Sequence, residues 1–541
     1  MRPCGGSIVV HAPSRGSPPA HRVAAALGVG LLLAVGCSDR EDEVHARGTA
    51  GAAGEGGAGF GEAQWGELRR AAADAGVRIG AAVDENALRD DPSYATVLAR
   101  EFDAVTPENA TKWGPLAPAS TRYDWEDADA IVDFAAAHGQ RVKGHALVWH
   151  QQLPSWVKST MSAEELGAAL KRHIEVTLER YRGRVYAWDV VNEAVDPSTE
   201  SGYTESLLYR ILGPGYIADA FRWARAADPD VRLYYNDFGL ERQGRKADLV
   251  YALLRDLLDE GVPIDGIGLQ SHLSMHRYPS ESHLRANIRR FADLGLAVNV
   301  SELDVRTLRV PGDRERRWEA QRVPFQQVVS VCATEPGCDA VTLWGFTDRY
   351  SWINVDAEEP DDPLVFDRDY AEKPAYRGVL AGLAGEGPSY GENVVSDGDF
   401  AAGGEEWSAK GGVLAVGPAL EREGFAACVG ERSDPGDGLR QDLRDSLRDG
   451  GQFSFSARVR VRGAANGSVK FAVAPGIEPA AAEVESLGSV EAVEGEWVEL
   501  AGDFGLGSTD TPVAIELTIY GPPAGVDLCV ADVELRQVTA P

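Results

Sequence analysis

Eight short runs rich in β-branched and aromatic residues recur along the middle of the chain, and stretches with helical periodicity separate them. The runs lie at 77–83, 102–106, 141–149, 185–191, 231–235, 264–269, 297–301 and 340–344. The best-marked helix opens with a capping box in which Glu165 stands three residues after Ser162. Leu166, Leu170, Ile174, Leu178 and Tyr181 then fall on one face, and Gly183 stops the run. Eight alternations of this kind over roughly 320 residues predict a (β/α)8 barrel of the α/β class, whose chemistry sits where the strands end.

Those strand ends carry polar residues. They are Glu108 and Asn109 at the second strand, His145 to His150 at the third, Asn192 and Glu193 at the fourth, and Asn236 and Asp237 at the fifth. Gln270 and His272 follow at the sixth, Glu302 and Asp304 at the seventh, and Trp344 at the eighth. Residues two apart on a strand share a face, so Gln270 with His272, and Glu302 with Asp304, are expected to point together into the barrel mouth. A single rim glutamate is ordinarily solvated, but polar residues at so many strand ends build a site.

Cleavage of a glycosidic bond needs a carboxylic acid to protonate the leaving oxygen and a carboxylate to attack or assist at the anomeric carbon. Glu193 and Glu302 are the candidates. Asn192 is a candidate donor to a sugar 2-hydroxyl, and Trp149, Trp344 and Trp352 offer flat apolar faces to sugar rings. His145 and His150 stand five apart on one strand-like segment and so face opposite ways, which argues against a catalytic metal; no cofactor is expected. The chain has 53 basic and 84 acidic residues, a net charge of −31, and no basic stripe, which excludes nucleic acid as a partner.

Eight strings in this region resemble glycoside hydrolase family 10, the (β/α)8 endo-1,4-β-xylanases. They are VTPENATKW at 105–113, GHALVWHQQLPSW at 144–156, WDVVNEAV at 188–195, YYNDF at 234–238, GLQSHL at 268–273, SELDV at 301–305, LWGFTDRYSW at 343–352 and KPAY at 373–376. The resemblance implies retaining hydrolysis of internal bonds of xylan by double displacement, with Glu193 as acid/base, Glu302 as nucleophile and the two carboxyls about 5 to 5.5 Å apart. It also implies contacts to xylan and xylo-oligosaccharides from Glu108, Asn109, Lys112, His145, Trp149, Gln152, Asn192, Gln270, His272, Trp344 and Trp352, with Phe238 near the aglycone side. Asp304 would hold His272, which orients Glu302. Phe238 stands where tyrosine is frequent, and Ile353 where arginine is frequent. A non-catalytic xylan receptor and a β-1,4-glucan hydrolase are the competing functions; the paired glutamates favour an enzyme, and the string around Glu108, Asn109 and Lys112 favours xylan. The sequon at Asn109 to Thr111 falls inside the sugar-contact string, so its modification is not expected.

The flanks of the barrel are of other kinds. A 14-residue apolar run at 23–36 follows Arg2, Arg15 and Arg22, the pattern of a signal peptide and too short to span a bilayer. It ends at Cys37 as bacterial lipoprotein leaders do, with Ala34 where leucine is usual. Domains are therefore expected at 1–37 (leader, lipidated at Cys37), 38–61 (Gly/Ala-rich tether), 62–385 (barrel) and 386–541 (sandwich). Membrane contact would come only through the lipid, on the surface of a bacterium; ordinary cleavage and free secretion compete with this. A monomer is expected. Four further cysteines form two candidate disulfides, Cys332 with Cys338 and Cys428 with Cys529, which suits an oxidising compartment. A four-cysteine zinc site competes with them but lacks paired C-x2-C spacing. The first pair also matches a bridge common in the family.

After Gly385 the pattern alternates without helices, as in Phe453, Phe455, Ala457, Val459 and Val461, which predicts an all-β sandwich. The segments 392–412 and 527–535 resemble jelly-roll carbohydrate-binding modules of the family 4/9/22 type, with Trp407, Trp497 and Tyr520 as the aromatics free to stack on sugar. A purely structural sandwich is the alternative.

Overall fold

The computed structural model describes residues 60–308, 312–355, 357–447, 450–463, 466–476, 486–506 and 514–539. The leader, Cys37 and most of the Gly/Ala tract lie outside the described residues. Ten strands make up the first sheet: β1 (Arg78–Val83), β2 (Ala104–Pro107), β3 (Arg141–Gly144), β4 (Val148–Trp149), β5 (Ala187–Asn192), β6 (Arg232–Asp237), β7 (Gly266–Leu269), β8 (His272–Ser274), β9 (Ala297–Arg306) and β10 (Cys338–Leu343). Eight of them close a parallel barrel in chain order, with β1 paired to both β2 and β10. The short β4 and β8 add to β5 and β9 at the mouth.

Burial on both faces explains why these strands read as nearly continuous apolar runs: all six residues of β5 are buried, as are the five from Leu233 to Asp237 in β6. The helix Ala163–Tyr181 carries the predicted cap, Ser162 accepting from the Glu165 amide while Glu165 accepts from the Ser162 amide, and all five predicted core residues are buried. The pair Cys332 and Cys338 is bonded, joining the helix Arg314–Thr334 to the start of β10.

Two local expectations are corrected. The run 141–149 is not one strand: β3 ends at Gly144, the His145–Ala146 peptide bond is cis, and β4 starts at Val148. Strand alternation therefore does not set the relative direction of His145 and His150. Gln270 and His272 do not share a strand either, because Ser271, with φ at 63°, breaks the extended backbone between β7 and β8. Glu302 and Asp304 do lie on one strand, β9, which runs on to Arg306.

The C-terminal residues form two antiparallel sheets facing each other. One orders its strands as Val413–Pro418, Phe425–Gly430, Asp527–Thr539, Gly451–Arg462 and Val498–Leu506, with Ser389–Asn393 also on Asp527–Thr539. The other runs Ser408–Lys410, Gly438–Asp442, Ala514–Tyr520, Asn466–Gly476 and Gly488–Val493. Alternate residues fill the space between them, among them Phe453, Phe455, Val459 and Leu517. Cys428 is bonded to Cys529 directly across two neighbouring strands. Trp407 is not free to stack on sugar: it is buried against Phe400, and its indole N–H points at the Ser396 and Asp397 carbonyls. Trp497 is partly exposed, with its N–H on the Leu420 carbonyl and Arg422 over its ring.

The sandwich is docked on the barrel rather than hung from it. Tyr278, fully buried, exchanges backbone hydrogen bonds of 2.9 and 3.2 Å with Asp503. Arg277 donates to the Ser486 carbonyl, Tyr390 to Glu281, and Gln326 to the carbonyls of Glu386 and Gly387. The Asp503 carboxyl is buried at this seam, which pushes its pKa up to about 7 despite Ser454 and Gln327 beside it. A raised carboxyl pKa means that the folded state holds a proton the unfolded state has released, so this contribution is complete below about pH 4 and is lost as pH rises through about 7. Asp503→Asn should therefore keep its melting temperature as pH is raised from 5 to 8 better than the parent does, by a few degrees. Identical pH slopes in the two proteins, measured by calorimetry, would show that the Asp503 carboxyl titrates alike in the folded and unfolded chain.

Candidate active site

The barrel mouth opens into a cleft of about 1060 Å³. Its walls include Glu108, Asn109, Lys112, His145, Trp149, Gln152, Asn192, Glu193, Phe238, Gln270, His272, Glu302, Trp344 and Trp352. Every residue expected to touch substrate or act on it is thus brought to one cavity, and Asp304 lies fully buried behind it.

Glu302, on β9, is 4 % exposed and held from three sides. Asn236, at the end of β6, donates to Oε1 at 2.6 Å, and His272 meets Oε2 at 3.2 Å. His145 lies 4.0 Å from Oε1. Burial alone would raise the pKa of this carboxyl, but the two histidines and Asn236 outweigh it and hold it down at about 2. These surroundings favour the carboxylate form of Glu302. His272 shows the converse balance: burial disfavours its charge, but Asp304, 2.9 Å from Nδ1, together with Glu302 raises its pKa well above the ordinary range. The ring stays an imidazolium, donating from both nitrogens.

Glu193 follows β5 at a left-handed φ of 57°, strained for a residue with a side chain. Its amide donates to the Asn236 carbonyl, and Thr204 donates to its own carbonyl, which pins the turn. The carboxylate accepts from the Trp149 indole at 2.8 Å and from Gln270 at 3.0 Å. Asn192 lies between the two glutamates. Its oxygen accepts from Asn236 at 2.9 Å and Gln270 at 3.2 Å, and since both neighbours present NH2 groups this fixes its own NH2 toward Glu193 at 3.4 Å. Asn236 is oriented in turn by Ser301, whose hydroxyl donates to Oδ1 at 2.7 Å.

Along the cleft Lys112 bonds Asn109 at 3.0 Å, lies over the Trp149 ring, and has its charge disfavoured by burial. Gln152 reaches the same Asn109 oxygen at 3.2 Å. Burial pushes the Glu108 carboxyl up to about 7, against the pull of Lys112. The Trp352 indole donates to Asp304 at 2.8 Å, which ties the last aromatic to the histidine network. Among the described residues no group of three or more His, Cys, Asp or Glu side chains is placed to hold a metal ion.

Several supporting residues were not singled out in the sequence. Asp189 accepts from His145 at 3.0 Å and pairs with Lys143 at 2.8 Å, all three buried. Lys246 pairs with buried Asp237 at 2.7 Å and sits over the Phe238 ring, while Tyr235 donates to the same carboxylate. A charged residue inside an apolar strand, as in RVKGH and WDVVN, is the signal that could have revealed the first group, because a buried charge needs a partner.

Comparison with known proteins agrees with this geometry. Residues 67–382 match the family model for glycosyl hydrolase family 10, and residues 392–525 match that of a carbohydrate binding domain. Endo-1,4-beta-xylanase B of Thermotoga neapolitana is 40% identical over 312 residues, 57% of this chain and 89% of its own length. Endo-1,4-beta-xylanase 1 of Humicola insolens is 38% identical over 322 residues, 59% of this chain and 74% of its own. Among solved structures, xylanase 10B from Thermotoga petrophila RKU-1 in complex with xylobiose superposes with a TM-score of 0.56 at 38% identity, covering 59% of this chain and 97% of that one. With the barrel, the two glutamates and the family match in agreement over more than half its length, the chain belongs to glycosyl hydrolase family 10.

Proposed function

We propose that the chain is a retaining endo-1,4-β-xylanase in which Glu302 is the nucleophile and Glu193 the acid and base. The observation that carries this assignment of roles is the set of groups around Glu302: Asn236 at 2.6 Å, and His272 at 3.2 Å, itself held by Asp304 at 2.9 Å. A carboxyl so surrounded is favoured as the anion, which suits it to attack the anomeric carbon rather than to supply a proton to a leaving group. Glu193, reached by Trp149 and Gln270 in the same cleft, protonates the departing oxygen as Glu302 forms the glycosyl ester. The same group then takes a proton from the water that opens that ester, so both steps balance without a cofactor. Asn192, its oxygen committed to Asn236 and Gln270, offers its NH2 to a sugar 2-hydroxyl, a bond that strengthens in the oxocarbenium-like transition state.

The rest of the cleft supports a pentose polymer as substrate. Glu108, Asn109, Lys112, His145, Gln152 and Trp149 line the cleft with polar groups, Lys112 covering the Trp149 ring and Asn109 accepting from Lys112 and Gln152, a wall suited to sugars without a hydroxymethyl group. Two disulfides and a polysaccharide substrate fit a secreted enzyme. The sequence pattern ending at Cys37 supports a lipid anchor, and the match at 392–525 supports polysaccharide contact by the sandwich.

Two tests separate the roles. Glu302→Ala should be inactive on every substrate, whereas Glu193→Ala should lose about 10²- to 10⁴-fold on xylan yet still release a burst of phenol from an aryl xyloside with an acidic phenol. Azide, which needs no base, should restore turnover in Glu193→Ala and give a β-azide; a burst in Glu302→Ala instead would reverse the assignment. Second, the His272 ring should remain doubly protonated at pH 8 by nitrogen NMR and return toward the ordinary histidine range in Asp304→Asn, with activity falling alongside. A neutral His272 in the parent protein at pH 7 would contradict the charge network.

A further inference from the structure

Beyond the catalytic pair, the cleft wall carries guanidinium groups that the reaction does not use: Arg245, at the start of the helix Arg245–Asp259, and the pair Arg242 and Arg277. Arg242 follows the β6 turn four residues after Phe238, and Arg277 follows β8 in the loop on which the sandwich docks. Ser489, from the sandwich, completes this wall. Arg242 is half-buried and, among the described residues, makes no hydrogen bond or ion pair. The acids that act on it are Glu241, whose carboxylate accepts from the Ser271 amide at 2.6 Å, and Asp503, whose carboxyl is buried at the seam. Arg277 is exposed and spends one N–H on the Ser486 carbonyl, leaving the others open to the cleft.

Such a pair is costly without a ligand. Desolvation and the like charge of Arg277 push the Arg242 pKa down to about 10, and an arginine so placed is ordinarily matched by a carboxylate. In a chain of net charge −31 two adjacent cations at the edge of a sugar cleft are not a general surface property. A planar guanidinium takes a carboxylate through two parallel N–H bonds, and a sugar carboxylate is the anion that a polysaccharide brings to this place.

We propose that Arg242 and Arg277 form an anion subsite for uronic acid branches, so that the enzyme favours β-1,4-xylan carrying uronate substituents. This rests on the xylanase reading above and names the class of substrate for the same cleft. The docked sandwich then has a part in recognition, because it holds Arg277 in place and supplies Ser489 to the wall.

The test compares kcat/KM for three substrates: a linear xylo-oligosaccharide, the same backbone carrying a glucuronic acid branch, and that branched compound with its carboxyl reduced to a neutral alcohol. The parent protein should prefer the uronate over its reduced form by about tenfold at low salt, the worth of one charge-assisted hydrogen-bonded contact. That preference should shrink in about 0.5 M sodium chloride. Arg277→Gln and Arg242→Gln should each lose it while keeping the parent rate on the linear substrate. No preference in the parent, or a preference kept in both variants, would overturn the subsite. The carboxyl-reduced comparison needs no variant, so a poorly folded Arg242→Gln does not remove the test. Failure of the parent to cleave the linear substrate would instead overturn the xylanase reading; binding of the uronate and reduced ligands by calorimetry would still decide the arginine pair.

Discussion

A carboxylate that is almost wholly buried, with its water replaced by an amide and an imidazole, is the constraint on which the barrel mouth is built. Glu302 has lost its water, and a desolvated anion persists only where positive charge and donors replace that water. Asn236 and His272 supply these in contact, with His145 behind. Each replacement needs its own support. Asp304 keeps His272 charged, Asp189 and Lys143 hold His145, and Ser301 turns Asn236. The chain of dependence reaches from the cleft into β3, β5, β6 and β9, which is why the site cannot be separated from the closed sheet.

The two glutamates differ because their surroundings do. Glu302 sits on a regular strand between the Asn236 amide and the His272 ring, whereas Glu193 stands on a strained turn and accepts from Trp149, Gln270 and Asn192. Asn192 and Asn236 connect the pair, so the geometry of one carboxylate is transmitted to the other without a charge between them. Preorganisation of this kind lowers the reorganisation needed as charge moves from Glu302 to the departing oxygen.

Much of this was legible in the sequence because strand ends were marked by sudden polarity. Each of the eight expected runs overlaps one barrel strand, although the third stops at Gly144 and the seventh continues to Arg306, and the fourteen cleft residues expected from the strand ends and the family resemblance converge on one cavity. The misses have physical reasons. Alternation along a strand cannot anticipate the cis peptide after His145 or the left-handed Ser271, since both break the period on which the inference rests. Lys246 comes to Asp237 from the start of the next helix, a contact made by the turn rather than by local spacing. Trp407 looked available because an isolated tryptophan between polar residues carries no sign of burial; only the packing of Phe400 and the carbonyls of Ser396 and Asp397 reveal it as core. The docking of the sandwich through Tyr278 and Asp503 joins residues far apart in the chain and left no local pattern.

The central claim is that Glu302 forms the covalent bond to sugar, and trapping that bond tests it most directly. A 2-deoxy-2-fluoro xylobioside with an acidic phenol as leaving group suits the purpose: fluorine slows both steps by destabilising the oxocarbenium-like transition state, and the good leaving group restores the first. Mass spectrometry of the intact protein should show one fluoro-xylobiosyl group added, and the digested protein should carry it on the peptide and residue of Glu302. A label on Glu193, or an unlabelled enzyme that releases product of inverted anomeric configuration, would contradict the account.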